Sequence, residues 1–278
     1  MKKTNLLLLI FVSGLLLMSA KSYGQFKGTY TIDTTGSNYT SNPSGTGGYN
    51  YKSFTTAAWN LAKYGVSGVV IFNAASGTYA EQVTIGAAIS GASSTNTITF
   101  QSASGDSTKT IIQYAGTSTS SYVVSLTAAS YITFKKMTLQ NTGTAGCVVL
   151  LNASCSYNSF LNNQLIGISG SSASTQSVIY GLATVSYNTF SYNNILNGYA
   201  SVYFAGNTSN TFTYNNMSNF YAYGFNLTTT NAITINYNKI VSSLSTAAVG
   251  VYASSSSGAM TYIGNTITIT GRNISRQV

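Results

Sequence analysis

The side chains that most often perform catalysis are scarce in this chain. Its 278 residues include three acids, Asp33, Glu81 and Asp106, and no histidine. Asp33 in TIDTTG and Asp106 in SGDSTK lie in segments typical of turns, and no acid follows Asp106. Glycoside hydrolysis takes a pair of carboxyl groups, and the candidate catalytic pair is therefore Glu81 and Asp106. We favour the hypothesis that the chain has no catalytic residue.

The basic residues of the repeat region are the other candidates for catalysis. A metal-free lyase would need its base among Lys135, Lys136, Lys239 and Arg272, and we favour solvated surface charge for each of them. Calcium sites need several acidic oxygens, and copper sites need His, Met or Cys ligands. We therefore predict no metal and no cofactor.

The net charge of +9 arises because acids are missing. Beyond the first 24 residues the cations are scattered, and Lys135 and Lys136 are the only adjacent pair. Proteins that bind nucleic acid cluster Lys and Arg on one face. We therefore expect no nucleic-acid partner.

The two cysteines lie close together in GCVVLLNASC, as Cys147 and Cys155. If VVLLNA is a strand that rises ~3.3 Å per residue, the two Cα atoms are further apart than the ~7 Å limit for a disulfide. We favour buried free thiols, which pack as small apolar groups. The alternative is a disulfide closed by a tight reversal of the chain.

The N-terminus reads as a targeting segment. MKKTNLLLLIFVSGLLLMSAKSYG has a charged start, an apolar run and small residues before Gln25, which is typical of a cleaved signal peptide. We predict a signal peptide over 1–24, a secreted or outer cell-surface protein, and no membrane span after cleavage. A retained anchor helix is the alternative.

Internal repeats set the fold. NTFSYNN and NTFTYNN nearly repeat, and an apolar anchor recurs about every 22–30 residues, a period typical of solenoids. The anchors are Phe134, Phe160, Phe190, Phe212, Ile235 and Tyr262, with Phe100 as an earlier member. Five positions after the anchors stand Leu139, Leu165, Ile195, Met217, Ile240 and Ile267. This pattern predicts a chain that winds once per repeat and stacks each strand, in parallel, on its counterpart one coil earlier.

Asparagine recurs three residues after the anchor. The positions are Asn163, Asn193, Asn215, Asn238 and Asn265. Asparagine tolerates left-handed backbone angles, and stacked amides form hydrogen-bonded ladders. We predict a structural ladder of these five residues at a corner of the coil.

Tyrosines form two further patterns. Tyr192, Tyr214 and Tyr237 stand two residues after consecutive anchors and are expected to stack, either as a sugar-binding strip or, as we favour, as a stabilising aromatic row. Tyr203 and Tyr252 are candidate glycan contacts.

Apolar residues two apart upstream of the anchors predict a third strand per coil with these side chains inward. The sets are Tyr122-Val124-Leu126, Val178-Tyr180-Leu182, Ala200-Val202-Phe204 and Tyr223-Phe225-Leu227.

A helix is expected before the coils. Ser53 can cap it, Phe54, Ala57, Ala58 and Leu61 form an apolar stripe, and Gly65 can end it.

We divide the chain into a signal peptide (1–24), an N-terminal segment with a capping helix (25–65), and a parallel β-helix (66–278) cut short at its C-terminal end. Without a polar cap after Ile269, we expect an open edge there and end-to-end self-association.

The unit N-x-(F/I)-x-x-N-x-(I/L/M) resembles the repeats of the pectate-lyase-like superfamily, and SFTTAAWNLAKYGVSGVVIFNAASGTYAEQVTI is similar to the opening of pectin methylesterases. The GTYTI segment resembles secreted surface proteins of the Bacteroidetes type. The resemblance implies an all-β fold: a right-handed, single-stranded parallel β-helix with three short strands per coil and a short N-terminal capping helix. It also implies a structural role for Glu81.

Our functional prediction is a secreted or cell-surface, non-catalytic β-helix for adhesion or glycan binding, whose partner is a polysaccharide or cell-surface glycan. The alternative is a fragment of a polysaccharide lyase, hydrolase or esterase. Its catalytic residues would be absent from this chain or lie at Glu81 and Asp106.

Overall fold

The structure is a computed structural model that describes residues 25–36, 50–182, 184–245 and 247–270. The predicted signal peptide, 1–24, and the segment 271–278, which holds Arg272, lie outside the described residues. Within the described ranges, no helix has both the length and the apolar character needed to cross a membrane.

The described chain consists mainly of short strands. Its first part contains β1 (Phe26–Ile32), β2 (Asn50–Tyr51), helix α1 (Phe54–Tyr64), β3 (Val66–Ala74), β4 (Gly77–Ala80), β5 (Val83–Ile85), β6 (Ile98–Ser102) and β7 (Thr110–Tyr114). The repeats contain β8 (Val124–Thr127), β9 (Ile132–Lys135), β10 (Thr138–Asn141), β11 (Val149–Asn152), β12 (Ser159–Leu161), β13 (Gln164–Ile166), a 3-10 turn (Ser174–Gln176), β14 (Ile179–Leu182), β15 (Thr189–Ser191), β16 (Asn194–Leu196), β17 (Ala200–Ala205), β18 (Thr211–Thr213), β19 (Asn216–Ser218), β20 (Tyr223–Thr228), β21 (Thr234–Asn236), β22 (Lys239–Ser242), β23 (Val249–Ser254), β24 (Thr261–Ile263) and β25 (Thr266–Ile269).

Three parallel sheets form the faces of a right-handed β-helix. Sheet A has the order β2-β1-β3-β6-β9-β12-β15-β18-β21-β24, sheet B runs from β4 through β7, β10, β13, β16, β19 and β22 to β25, and sheet C from β5 through β8, β11, β14, β17 and β20 to β23. From β9 onward the chain visits sheets A, B and C in turn. This arrangement confirms the predicted fold class.

Stacked anchor rings form the spine of the core beneath sheet A. Phe160, Phe190 and Phe212 are fully buried and pair in register across β12, β15 and β18. The ring centroids of Phe160 and Phe190 are 5.0 Å apart, and those of Phe190 and Phe212 are 4.9 Å apart, with nearly parallel planes. Each coil therefore repeats the packing of the coil before it.

Helix α1 covers the N-terminal coils. The Ser53 hydroxyl accepts a hydrogen bond from the Thr56 backbone N–H at 3.1 Å, and the Gly65 N–H, at positive φ, donates to the Leu61 carbonyl at 2.8 Å. The predicted apolar stripe is buried, and the Phe54 ring meets Tyr79 edge-on at 5.0 Å. The predicted capping helix is confirmed.

One strand of sheet C differs from the predicted register. We expected Tyr180 to face inward between Val178 and Leu182, but β14 turns Ile179 and Gly181 inward and leaves Tyr180 outward and half-buried. A Cβ on Gly181 would lie 2.5 Å from the Phe204 ring. The large ring of the next coil thus fills the space that a side chain at position 181 would occupy, which sets the alternation of β14.

Both thiols are free and buried, as predicted. The single S–H of Cys155 is shared between the Leu126 and Asn152 carbonyls, which lie 2.9 and 3.0 Å from the Sγ. Burial raises the pKa of the Cys147 thiol to about 12, and it also raises the pKa of the Cys155 thiol. Both groups are therefore held neutral in the folded chain.

We expect a thiol reagent such as Ellman's reagent to label neither cysteine in the folded protein at pH 8 and both in denaturant, because the reactive thiolate is suppressed by burial. The raised pKa values also predict that stability, complete below the ordinary thiol pKa of about 8.5, declines as the pH rises toward 12, since the unfolded chain releases these protons first. Rapid labelling of either thiol in the folded state would contradict the burial.

Candidate functional site

The structure stacks the five ladder asparagines at the corner between sheets A and B. The Asn215 Oδ1 accepts from the backbone N–H and the side-chain Nδ2 of Asn193, both at 3.0 Å. The Asn215 Nδ2 donates to the Phe190 carbonyl and to the Asn238 Oδ1, each at 2.9 Å. The same pattern links Asn163 to Asn193 and Asn238 to Asn265. The ladder amides thus bond to one another and to the backbone.

The left-handed corner lies one residue before the ladder, which differs from our expectation. At this corner the left-handed residues, with φ of 55–57°, are Lys136, Asn162, Tyr192, Tyr214 and Tyr237. Strict alternation would turn these side chains inward like the anchors. The positive φ breaks the alternation, so that these side chains face outward and the ladder amides face inward.

A second asparagine ladder stands at the other end of the sheet A strands. Asn158, Asn188 and Asn210 are almost fully buried. The Asn188 Oδ1 accepts from the Asn158 backbone N–H at 3.0 Å, and the Asn210 Oδ1 accepts from the Asn188 backbone N–H at 2.9 Å. Sequence reasoning missed this ladder, although the first Asn of NTFSYNN and NTFTYNN is its signal.

Two stacks of tyrosines flank sheet A, and all of their members are exposed except the half-buried Tyr131. Tyr192, Tyr214 and Tyr237 stack at 4.9 and 5.0 Å after the strands. A stack that sequence reasoning missed, Tyr131, Tyr157 and Tyr187, stands before the strands at 5.3 and 5.0 Å. A sugar stacks on the face of an aromatic ring, and inner rings have both faces covered. Only the end of a stack can therefore offer a face.

The outward face of sheet C carries the candidate glycan contacts. Tyr203, Asn226 and Tyr252 stand in register on β17, β20 and β23. Tyr203 stacks on Tyr180 at 5.0 Å, and Tyr252 leans on Tyr223 at 5.5 Å. Between them Asn226 is only 8% exposed. Its buried Oδ1 has no hydrogen-bond partner among the described residues.

The carboxylates of Glu81 and Asp106 are separately engaged. The Glu81 carboxylate accepts from the backbone N–H groups of Phe54 and Thr55 at 2.9 and 2.8 Å and from the Thr55 hydroxyl, so it caps helix α1. Asp106 accepts from the backbone N–H and the hydroxyl of Thr108, which lowers the pKa of its carboxyl.

The two acids also stand at opposite ends of paired strands. Glu81 follows β4 and Asp106 precedes β7, and these strands pair from Gly77 with Thr110 to Ala80 with Gln113. The paired length alone spans about 10 Å at ~3.3 Å per residue. The structure therefore does not bring the two carboxyl groups together.

A surface cavity of about 420 Å³ lies beside Glu81 and includes Lys52, Ser53 and Tyr79 in its lining. The Tyr79 hydroxyl is turned away from solvent, and its single O–H is shared between the Ile32 and Ala75 carbonyls, which lie at 3.0 and 3.1 Å. Burial raises the pKa of Tyr79 to about 12, with smaller contributions from the charges of Asp33 and Glu81. Tyr79 is thus a neutral structural donor rather than a base.

The remaining candidates for chemistry are dispersed. Lys136 and Lys239 are exposed and Lys135 is half-buried. Among the described residues, no group of three His, Cys, Asp or Glu side chains lies close enough to hold a metal ion.

No protein-family model and no curated protein matches the chain. Among solved structures it is similar to pectin methylesterase PemA from Erwinia chrysanthemi, with TM-score 0.40 and 12% identity over 79% of this chain and 65% of that chain. An alginate lyase from Paenibacillus sp. str. FPU-7 aligns with TM-score 0.35 and 12% identity over 77% of this chain and 96% of that chain. A GH136 lacto-N-biosidase from Eubacterium ramulus aligns with TM-score 0.30 and 9% identity over 92% and 70%. At these identities the likeness concerns the fold alone.

Proposed function

We propose that this protein is a non-catalytic glycan-binding β-helix, secreted or held at the outer cell surface, and that it binds through the outward face of sheet C. The observation that carries the proposal is the buried, unpartnered Oδ1 of Asn226 between Tyr203 and Tyr252. A buried acceptor without a donor costs about 1–3 kcal/mol. A sugar hydroxyl supplies the missing donor.

The two tyrosines supply the apolar part of the contact. Tyrosine offers a large amphipathic ring with few rotatable bonds, so little conformational entropy is lost on binding. The sheet beneath the rings is held by pairing on both sides of β20. A preorganised surface of this kind gains affinity because it has little to order on binding.

Adhesion is the role that fits a rigid binding surface at the cell exterior. We also retain end-to-end association of two copies as part of the proposal. It is supported by the exposure of Tyr262, Ile263 and Ile267 in the last described coil, where Tyr262 pairs in register with Ile235 yet is 44% exposed.

The second candidate is a fragment of a polysaccharide lyase, hydrolase or esterase that uses Glu81 and Asp106. Only the cavity beside Glu81 favours it. The helix-capping role of Glu81 and the separation of the two acids weigh against it.

The test begins with a glycan array and proceeds to titration calorimetry with the oligosaccharide that binds best. We expect Asn226→Leu to weaken binding at least tenfold while thermal stability stays equal or rises, because the substitution removes the unpartnered acceptor. Such a loss of function without loss of stability is typical of a binding site. Tyr203→Ala and Tyr252→Ala are expected to weaken binding by a similar factor.

Tyr157→Ala is the matched control, since Tyr157 is an exposed stacked tyrosine before sheet A. Equal losses in the control and in the sheet C variants would refute the assignment of the surface. Turnover of the bound polysaccharide would refute the non-catalytic claim, and its survival in the double variant Glu81→Gln, Asp106→Asn would exclude those acids as its source.

A further inference from the structure

We infer a second glycan subsite, for one neutral pyranose residue, at the corner between sheets A and B. It lies in a notch beside Tyr192, where the short side chain of Asn162 takes the place that a tyrosine ring occupies in the next three coils. The inference rests on the proposed function for its ligand class, but it uses none of the residues of the sheet C surface.

The notch follows from the order of side chains along one column. The outward residues with left-handed backbone are, from coil to coil, Lys136, Asn162, Tyr192, Tyr214 and Tyr237. Asparagine is much shorter than tyrosine, so the column lacks a ring at its second position. Its absence leaves space on the side of Tyr192 that faces away from Tyr214.

Only Tyr192 offers a ring face in this column. Tyr214 has both faces covered, because its ring stacks on Tyr192 at 4.9 Å and on Tyr237 at 5.0 Å. The Tyr237 ring lies over Gly264, where an added Cβ would come within 2.5 Å of a ring carbon. Tyr192 is 58% exposed, the highest value among the large apolar side chains of the described residues.

A cavity of about 400 Å³ occupies this place, and its lining includes Tyr192, Asn162, Gln164, Asn194, Lys136 and Asp106. This volume lies at the small end of the range for ligand pockets, about 300–1,000 Å³. An aromatic wall with convergent polar groups is the usual composition of such pockets.

The polar groups suit sugar hydroxyls. Amide side chains both donate and accept hydrogen bonds, as hydroxyls do. Within the described residues, the side-chain amide of Asn162 makes no hydrogen bond, and the side-chain amide of Gln164 makes only a long contact of 3.5 Å with the Ser107 hydroxyl. Both amides are therefore available to a ligand.

The charges favour a neutral ligand. The cavity lining contains one cation, Lys136, and one anion, Asp106. Thr108 donates two hydrogen bonds to Asp106 and lowers the pKa of its carboxyl, which keeps it ionised at neutral pH. An acidic sugar that meets Lys136 also meets the Asp106 carboxylate, so the pair provides no net attraction for an anion.

The experiment uses saturation-transfer NMR and titration with methyl pyranosides of glucose, galactose, mannose and N-acetylglucosamine. The acidic probe is the methyl glycoside of galacturonic acid (the galacturonide), which keeps a free carboxylate. We expect at least one neutral pyranoside to bind and Asn162→Tyr to abolish that binding. The substitution completes the column with a residue that the next three coils already hold in the same backbone conformation, so its thermal midpoint should be equal or higher. Tyr192→Ala is the second variant and should weaken binding at least tenfold.

Asn226→Leu and Tyr157→Ala should leave this binding unchanged. Tighter binding of the galacturonide than of every neutral pyranoside would overturn the ligand class. Unchanged binding in both Asn162→Tyr and Tyr192→Ala would overturn the subsite. So would a protein that still binds its best oligosaccharide from the array but binds none of the pyranosides. In either case the proposed function stands. Failure of every glycan on the array would overturn both.

Discussion

Phe212→Ala should lower the free energy of unfolding by about 3–5 kcal/mol. The Phe212 side chain is fully buried, and its ring stacks on Phe190 at 4.9 Å and meets Phe204 and Phe225 edge-on at 5.5 and 5.2 Å. Truncation leaves a cavity, because paired strands on both sides of β18 prevent the coils from closing. Urea unfolding monitored by circular dichroism measures the change.

Thr211→Ala is the control for Phe212→Ala. Thr211 lies in the same strand, but its side chain faces outward and is half-buried, so the change should stay within about 0.5 kcal/mol. If Phe212→Ala shifted the urea midpoint no more than Thr211→Ala does, the inward register of β18 would be wrong.

Asn215→Leu should destabilise the chain by about 1–3 kcal/mol, although leucine is similar in size and more apolar. The substitution removes the acceptor of the Asn193 backbone N–H and side-chain amide, and it removes the side-chain donor of the Phe190 carbonyl. These groups are deep in the corner, where water does not replace the lost partner. Thermal and urea midpoints, measured together, give the effect.

The neighbouring Asn216 provides the matched control. It is exposed on sheet B, and its side-chain amide donates one hydrogen bond, across the surface, to the Asn194 Oδ1 at 3.0 Å. Asn216→Leu should therefore be close to neutral. Equal midpoints for the two variants would mean that the hydrogen bonds of the buried ladder contribute nothing to stability.

The fold could be predicted because each coil repeats the same pattern of buried side chains. The anchor phenylalanines and the Asn three residues later recur in the sequence. Parallel in-register pairing is the arrangement that stacks each anchor and each Asn on its counterpart in the next coil. The helix was predictable for a different reason. Ser53, the apolar stripe and Gly65 are signals that act within a few residues.

Most of the candidate site could not be predicted in this way. The sequence aligns Tyr192, Tyr214 and Tyr237, but only the sign of their φ angles decides that they face solvent. The inward turn of Gly181 and the outward turn of Tyr180 likewise depend on the Phe204 ring of the next coil. Residue type does not encode a contact that a neighbouring coil imposes.

The sequence by itself therefore determined the repeat, the strand order, the buried anchors from Phe100 to Ile235 and the scarcity of catalytic side chains, while the anchor Tyr262 is 44% exposed. The tertiary structure decided which ring face is open at Tyr192, where Asn162 leaves a notch, and that Asn226 is buried without a partner for its acceptor. The reason is physical. Periodic burial is a property of each coil, whereas a vacant space or an unpaired acceptor exists only between coils, where side chains of unequal size and polarity are stacked on one another.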